Sequence, residues 1–352
     1  MKAIILAGGT GTRLWPMSRE KKPKQFCELV SSEPLICDTY RRLLRLFPAE
    51  KIYFSVTPAF EKKLAEHFTD LDPSRVIVEP EKRDTGPAMG YVAALLELED
   101  PDEPIVFIPS DHHIADEEKF LNCLNVGDQL IRETGKMLDI GIAPVFPSTV
   151  LGYTKLGSFF EKRDGVEVFQ FAGHTEKPPR ETAEQYLSDG SYLWHANYYM
   201  WTPRKFMEAF ENYAPEVAEI LRGIQNTRRV HVLYSQLPKK SFDYLITEKM
   251  NPEDVLVIKG DFGWSDIGAW DTLYDRLVGG EKQNVVKGST VLVDTESSLV
   301  YAPAGKTIAV LGMKDVVVVD TGDALLVCPR SEAQRVKEII SELQKNNLDG
   351  LL

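Results

Sequence analysis

Short apolar runs separated by helical periodicity fill the first third of the chain and limit what it can fold into. The runs at 3–7, 52–56, 76–78 and 105–108 have strand length, and the last is continuously apolar, as a strand buried on both faces would be. Between them Leu35, Thr39, Leu43 and Leu46, then Phe60, Leu64, Phe68 and Leu71, then Ala88, Val92, Leu95 and Leu96 recur at helical spacing. Strand–helix alternation at this rhythm predicts an α/β fold with a mostly parallel sheet and crossover helices. Ligands of such sheets sit beyond the carboxyl ends of the strands. The loops after residues 7, 78 and 108 should therefore gather on one edge.

The first of those loops is Gly8-Gly9-Thr10-Gly11-Thr12-Arg13-Leu14-Trp15-Pro16, with Pro23-Lys24-Gln25-Phe26 a few residues on. Bare amide N–H groups on such a glycine stretch can converge on phosphate oxygens, and Arg13 and Lys24 add positive charge. Residues 1–26 hold six Lys/Arg against one Glu, in a chain of 352 residues with a formal net charge of −12. A basic island in an acidic protein reads as a polyphosphate site. The bland alternative is a tight turn. The Gly-x-Gly-x-x-Gly dinucleotide fingerprint fails because Leu14 takes the place of the third glycine, and the Gly-Lys-Ser/Thr ending of a Walker A loop is absent.

The acidic balance argues against a general nucleic-acid binder. Cys27, Cys37, Cys123 and Cys328 are scattered with no Cys-x-x-Cys pair, which predicts reduced thiols in a cytoplasmic protein. No apolar run reaches the ~18–20 residues of a membrane span, and the N-terminal one is too short for a signal-peptide core.

The string from Gly8 to Phe26 resembles the signature loop of the sugar-phosphate nucleotidyltransferases, and Trp15-Pro16 with Pro23-Lys24-Gln25-Phe26 resembles that of the mannose-1-phosphate guanylyltransferases. The resemblance implies a Rossmann-like nucleotidyltransferase domain over 1–280. A small β-rich, left-handed β-helix-like domain with a terminal helix would follow over 281–352. It also implies nucleotide contacts from Leu6, Ala7, Gly8, Gly9, Thr10, Gly11, Thr12 and Arg13. Glu79-Pro80 with Arg83-Asp84-Thr85 is similar to the family segment that lies against the nucleobase, although alone it reads as a proline turn with an Asp or Thr helix cap. Pro109-Ser110-Asp111-His112 is similar to the motif whose aspartate holds magnesium. A carboxylate placed after a buried strand suits a hard cation. The adjacent histidines do not complete a zinc site.

The second half carries the sugar side of the resemblance. Gly152-Tyr153 lies in a segment similar to the family's Pro-x-Thr-Gly-Tyr-Gly-Tyr. Glu176-Lys177-Pro178 matches Glu-Lys-Pro, whose glutamate accepts sugar hydroxyls and whose lysine meets the sugar phosphate. The segment 194–197 departs from Trp-Asn-Ser-Gly: His195 stands at the asparagine and Asn197 at the glycine. At its ordinary pKa, near 6.5, a neutral imidazole would offer one donor and one acceptor. Asp261 opens a loop similar to Asp-x-Gly-Trp-Ser-Asp-x-Gly-Ser-Trp and would be the second magnesium ligand. Short β runs at 291–293, 299–301, 308–310, 316–319 and 325–327 follow, and Ser331 with Gln334 predicts a capping box before the last helix.

The whole pattern predicts a short, single-function enzyme that transfers GMP from GTP to α-mannose 1-phosphate with Mg2+. Longer relatives carry a further isomerase domain. Catalysis would rest on alignment and charge, with Arg13, Lys24, Lys177, Asp111 and Asp261 as the catalytic set. Nucleic-acid and membrane partners are not expected, and homodimerisation stays open. Two alternatives stay open as well: the same scaffold acting on another sugar 1-phosphate or NTP, and a silent sugar-nucleotide-binding regulator.

Overall fold

The apolar runs become the strands β1 (Lys2–Ala7), β2 (Ile52–Val56), β3 (Val76–Val78) and β4 (Ile105–Pro109) in a computed structural model that describes residues 1–9, 11–280 and 282–352. Thr10, one of the expected nucleotide contacts, lies outside the described residues. Packing divides the chain into two units that are not contiguous in sequence. One comprises Met1–Gly8, Thr39–Ser110 and Ile114–Trp264, and the other Gly9–Asp38, Asp111–His113 and Ser265–Leu352.

The first unit is built on a ten-stranded sheet. β1, β2, β3 and β4 pair in parallel, with Ala7 opposite Val56, Val56 opposite Val78 and Leu6 opposite Pro109. Their carboxyl ends therefore share one edge, as the alternation requires. Ala3, Ile4, Ile5, Phe54, Phe107 and Ile105 are fully buried, so the parallel half of the sheet is covered on both faces.

The short β5 (His113–Ile114) precedes the rest: β6 (Met137–Ile142), β7 (Tyr153–Arg163), β8 (Val166–Thr175), β9 (Tyr192–His195), β10 (Met200–Trp201) and β11 (Val255–Gly260). β7 and β8 form a long antiparallel hairpin closed by Asp164 and Gly165, both at positive φ (50° and 82°). An Asp-Gly pair is the residue choice a two-residue hairpin turn demands, because both central positions need left-handed backbone. β9 pairs antiparallel with both β6 and β7, which carries His195 into the middle of the sheet opposite Gly141.

The second unit joins the glycine-loop segment to the C-terminal part of the chain. Leu14, Trp15, Leu29, Trp270, Leu299, Tyr301, Val317 and Val319 share one apolar core. Its aromatic polar atoms are satisfied inside it: Trp15 Nε1 donates to the Leu351 carbonyl at 2.9 Å, Trp270 Nε1 to the Trp15 carbonyl at 2.9 Å and the Tyr301 hydroxyl to the Leu29 carbonyl at 2.6 Å. Val285–Lys287, Leu299–Tyr301 and Val316–Asp320 stack in parallel, and Leu325–Pro329 closes the sheet antiparallel. Ser289–Val293 and Thr307–Leu311 form a second parallel pair.

The capping box expected at Ser331 and Gln334 does not form. The turn Arg330–Val336 begins after Pro329 with no side-chain cap, and the Gln334 side chain is bonded elsewhere in the second unit. No helix among the described residues is long and apolar enough to cross a membrane.

Candidate active site

In the first unit, the loop after β3 is fixed by its own polar groups. Glu79 is buried, its backbone N–H continues the β2 pairing to the Val56 carbonyl, and its Oε2 accepts from the Tyr234 hydroxyl at 2.5 Å. Burial pushes the Glu79 carboxyl up to about 7, although the Tyr234 hydroxyl stabilises its charge. Arg83 donates to the Leu237 carbonyl and pairs with Glu81 at 3.0 Å. Asp84, at φ 71°, caps the helix Thr85–Glu99 through Thr85 N–H, and Thr85 Oγ1 accepts from Phe242 N–H at 3.0 Å. The cap reading and the nucleobase reading thus fall on the same residues. Leu6, Ala7, Gly8 and Pro109 stand at the carboxyl ends of β1 and β4.

The expected sugar-side residues lie on or beside β7, β8 and β9: Tyr153 and His195 are in strands, Gly152 precedes β7, Glu176 and Lys177 follow β8, and Asn197 follows β9. His195 N–H donates to the Gly152 carbonyl at 2.9 Å, and the Tyr153 hydroxyl accepts from Ser148 N–H at 2.8 Å. Lys177 donates to Glu176 Oε1 at 2.6 Å. Burial works against the Lys177 charge, but the Glu176 bond and then nearby Asp243 outweigh it and hold its pKa up. Lys177 and Asn197 both sit at positive φ (47° and 58°), a conformation that costs a non-glycine residue energy and that clusters at functional sites.

His195 departs from the expectation of an ordinary imidazole facing the sugar. Its side chain is buried, and Nδ1 lies 3.0 Å from Asp139. Burial opposes protonation, yet Asp139 raises the pKa to about 9. Most of what surrounds it escapes sequence reasoning. Thr154 donates to Asp139 Oδ2 at 3.0 Å, the Tyr199 hydroxyl donates to Asp243 Oδ1 at 2.6 Å, and His174 stands between Thr154 and Asp243. The signal available in the sequence is that Thr154, His174, His195 and Asp243 lie inside or beside recognised motifs.

In the second unit, Gly11 takes φ 67°, and a Cβ there would lie 2.4 Å from the Lys24 Cβ, so only glycine lets the loop pass over Lys24. Lys24 is buried and donates to Asp111 Oδ2 at 2.7 Å and to the Asp266 carbonyl. Burial disfavours the Asp111 charge, but Lys24 and then His112 hold the carboxyl below the usual carboxylate range. Arg13 donates to Gln334 Oε1 at 3.0 Å, Gln334 donates to Asp271 at 2.9 Å, and Arg13 Nη2 lies close enough to Gly268 to meet a Cβ placed there at 3.1 Å. The second unit thus sets a buried lysine beside an ionised aspartate beneath Gly11, with Arg13 on the same loop. Asp261, in the first unit, is exposed and paired only loosely with Lys119 at 3.5 Å.

The nucleotidyl transferase family model matches residues 2–282. The chain belongs to the nucleotidyl transferase family. A second model, for a mannose-phosphate isomerase/GMP-like β-helix domain, matches 288–343 in the β-rich part of this transferase. A mannose-1-phosphate guanylyltransferase of Escherichia coli is 30% identical over 97% of this chain and 75% of its own length. The xanthan biosynthesis protein XanB of Xanthomonas campestris pv. campestris is 34% identical over 97% of this chain and 73% of its own. A solved structure from Thermus thermophilus, described as a mannose-1-phosphate geranyltransferase, superposes with TM-score 0.88 at 32% identity over 97% of this chain and 99% of that one. This family member is thus an enzyme of nucleotidyl transfer, of the mannose-1-phosphate guanylyltransferase branch.

Proposed function

We propose that the chain transfers GMP from GTP to α-mannose 1-phosphate, releasing GDP-mannose and pyrophosphate, in the cytoplasm. The observation that carries this reading is Lys24, a buried cation fixed beside the ionised Asp111 under the glycine loop. A lysine so placed meets negative charge as it grows on a departing pyrophosphate, together with Arg13 and the loop amides. Lys177 positions the sugar phosphate and Glu176 the sugar hydroxyls, so the phosphate oxygen attacks the α-phosphorus in line and no protein nucleophile is required. Residues 1–280 would carry this chemistry and 281–352 would support it.

The donor chemistry suits magnesium. Asp111 is ionised and meets Lys24 through Oδ2, and Asp261 offers an exposed carboxylate; hard oxygen donors of this kind are what the ion prefers. Each is a proposed ligand, and the ion when bound would neutralise phosphate charge. A second reading, another sugar 1-phosphate as acceptor, is favoured by the buried His195 where the family's asparagine stands. The test is pyrophosphate release from GTP, ATP, CTP, UTP and dTTP, each with mannose, glucose and galactose 1-phosphates. GTP with mannose 1-phosphate should be used best. A different preferred sugar would select the second reading.

A further inference from the structure

His174, Glu176 and Asp243, none of them a residue proposed for magnesium, converge in the first unit. Their ligand atoms all lie within 4.8 Å of one another. His174 Nε2 is 3.5 Å from Glu176 Oε2 and 3.7 Å from Asp243 Oδ1, and its side chain is fully buried. That nitrogen has no hydrogen-bond partner among the described residues.

The hydrogen bonds around the ring fix its tautomer. Asp139 Oδ2, a carboxylate oxygen, can only accept, so the Thr154 hydroxyl spends its proton there. Thr154 Oγ1, 3.3 Å from His174 Nδ1, must then accept, and Nδ1 carries the N–H. In a neutral His174 the Nε2 lone pair therefore faces two carboxylate oxygens. The Tyr199 hydroxyl and the His195 ring already face Asp243 Oδ1, but neither meets the His174 lone pair or Glu176 Oε2, and electron-pair donors turned toward one another in this way favour a cation between them.

Distance separates the two candidates, a proton and a metal ion. A charge-assisted N–H···O bond closes to about 2.7–2.9 Å. Two ligands on one four-coordinate ion, each bonded at about 2.0–2.1 Å, stand roughly 3.3–3.5 Å apart. The observed 3.5 and 3.7 Å are too long for such a hydrogen bond and lie at or just beyond the second spacing, so the three side chains would close in slightly on an ion. The surroundings also match those of a metal-bound histidine, whose far nitrogen donates to a fixed acceptor that sets its orientation. Gly152 closes the site: a Cβ there would lie 2.4 Å from Glu176 Oε2 and 2.7 Å from His174 Cε1. Asp243 is further held by the Tyr199 hydroxyl, and His195 Nε2 lies 3.4 Å from its Oδ1.

We propose that His174 Nε2, Glu176 Oε2 and Asp243 Oδ1 form a binding site for a divalent cation of the zinc class, which anchors Glu176 through one oxygen and leaves the other to Lys177. Mixed nitrogen and oxygen donors favour such an ion over magnesium. The assignment does not depend on the nucleotide or sugar reading.

The full chain, stripped with chelator, is titrated calorimetrically with Zn2+ in excess Mg2+, without nucleotide or sugar. One tight equivalent should bind to the wild type and to Asp111→Asn. His174→Gln should bind at least ~100-fold more weakly, and Thr154→Val about 10- to 100-fold more weakly, since it frees the tautomer. Crystals of the wild type grown with Zn2+ should show a zinc-edge anomalous peak about 2.0–2.2 Å from the three atoms. The wild-type map decides even where a variant fails to fold. No tight equivalent, a peak at another place, or unchanged affinity in a folded His174→Gln would overturn the assignment, leaving the cluster held by protons.

Discussion

Arg13 and Gln334 lie 321 positions apart in the chain, and the guanidinium donates to the Gln334 side-chain oxygen at 3.0 Å. Gln334 in turn donates to Asp271, so the arginine of the glycine loop is oriented by the C-terminal segment within the second unit. An exposed bond of this kind contributes about 1 kcal/mol or less to stability. Gln334→Ala should therefore leave the melting temperature nearly unchanged while raising the KM for GTP about 3- to 10-fold. An unchanged KM would mean that Arg13 needs no help in finding its place.

Lys24 reaches both Asp111 and the Asp266 carbonyl, which predicts a role in turnover more than in sugar affinity. Lys24→Met should lower kcat by ~10²–10³, the usual cost of losing one charge-stabilising group, with the KM for mannose 1-phosphate within a few-fold. Steady-state kinetics in both substrates checks this. A change confined to the sugar-phosphate KM would move Lys24 to the other side of the reaction.

Much of the sheet is legible in the sequence because strand–helix alternation is a local signal. The 52–56, 76–78 and 105–108 runs are strands, and their register puts the expected loops on one edge. The hairpin β7–β8 is less visible, although Asp164-Gly165 marks its turn, because the neighbouring motifs speak for side chains and not for backbone. The partners of His195 are hidden for a different reason. Asp139, Thr154, His174 and Asp243 come from separate strands and a short helix, and only tertiary pairing brings them together. Gln334 has the spacing of a local cap, whereas its bonds are long-range. The raised pKa of His195 comes from Asp139 acting against burial, so it does not follow from residue type alone.

Glu79 predicts a pH dependence of stability. Its folded pKa of about 7 exceeds the usual carboxylate value, so the folded state binds the extra proton. The group's contribution is therefore greatest below about pH 4.5 and is lost as pH rises through 7. The loss is on the order of 3 kcal/mol at most, because each tenfold difference in proton affinity is worth about 1.36 kcal/mol. Glu79→Gln keeps an acceptor for Tyr234 without the buried charge. Urea denaturation from about pH 4.5 to 8 should show a smaller fall in stability for the variant than for the wild type; parallel curves would contradict the assignment.

Gly152 sits where any side chain would strike Glu176 and His174. Gly152→Ala should displace the Glu176 carboxylate and raise the KM for mannose 1-phosphate at least about 10-fold, since misplacement of a positioning group is costly. The KM for GTP should stay within about twofold. Equal effects on both substrates would assign the loss to the fold instead of the sugar side.

Whether this chain joins GMP to a sugar phosphate is decided most directly by product analysis. The chain would be incubated with GTP, Mg2+ and mannose 1-phosphate, with pyrophosphate measured enzymatically and the sugar nucleotide by mass. Equal amounts of pyrophosphate and GDP-mannose are predicted, neither forming when the sugar phosphate is omitted. Absence of both products from an intact, folded chain, or pyrophosphate released without any GDP-mannose, would contradict the proposed reaction.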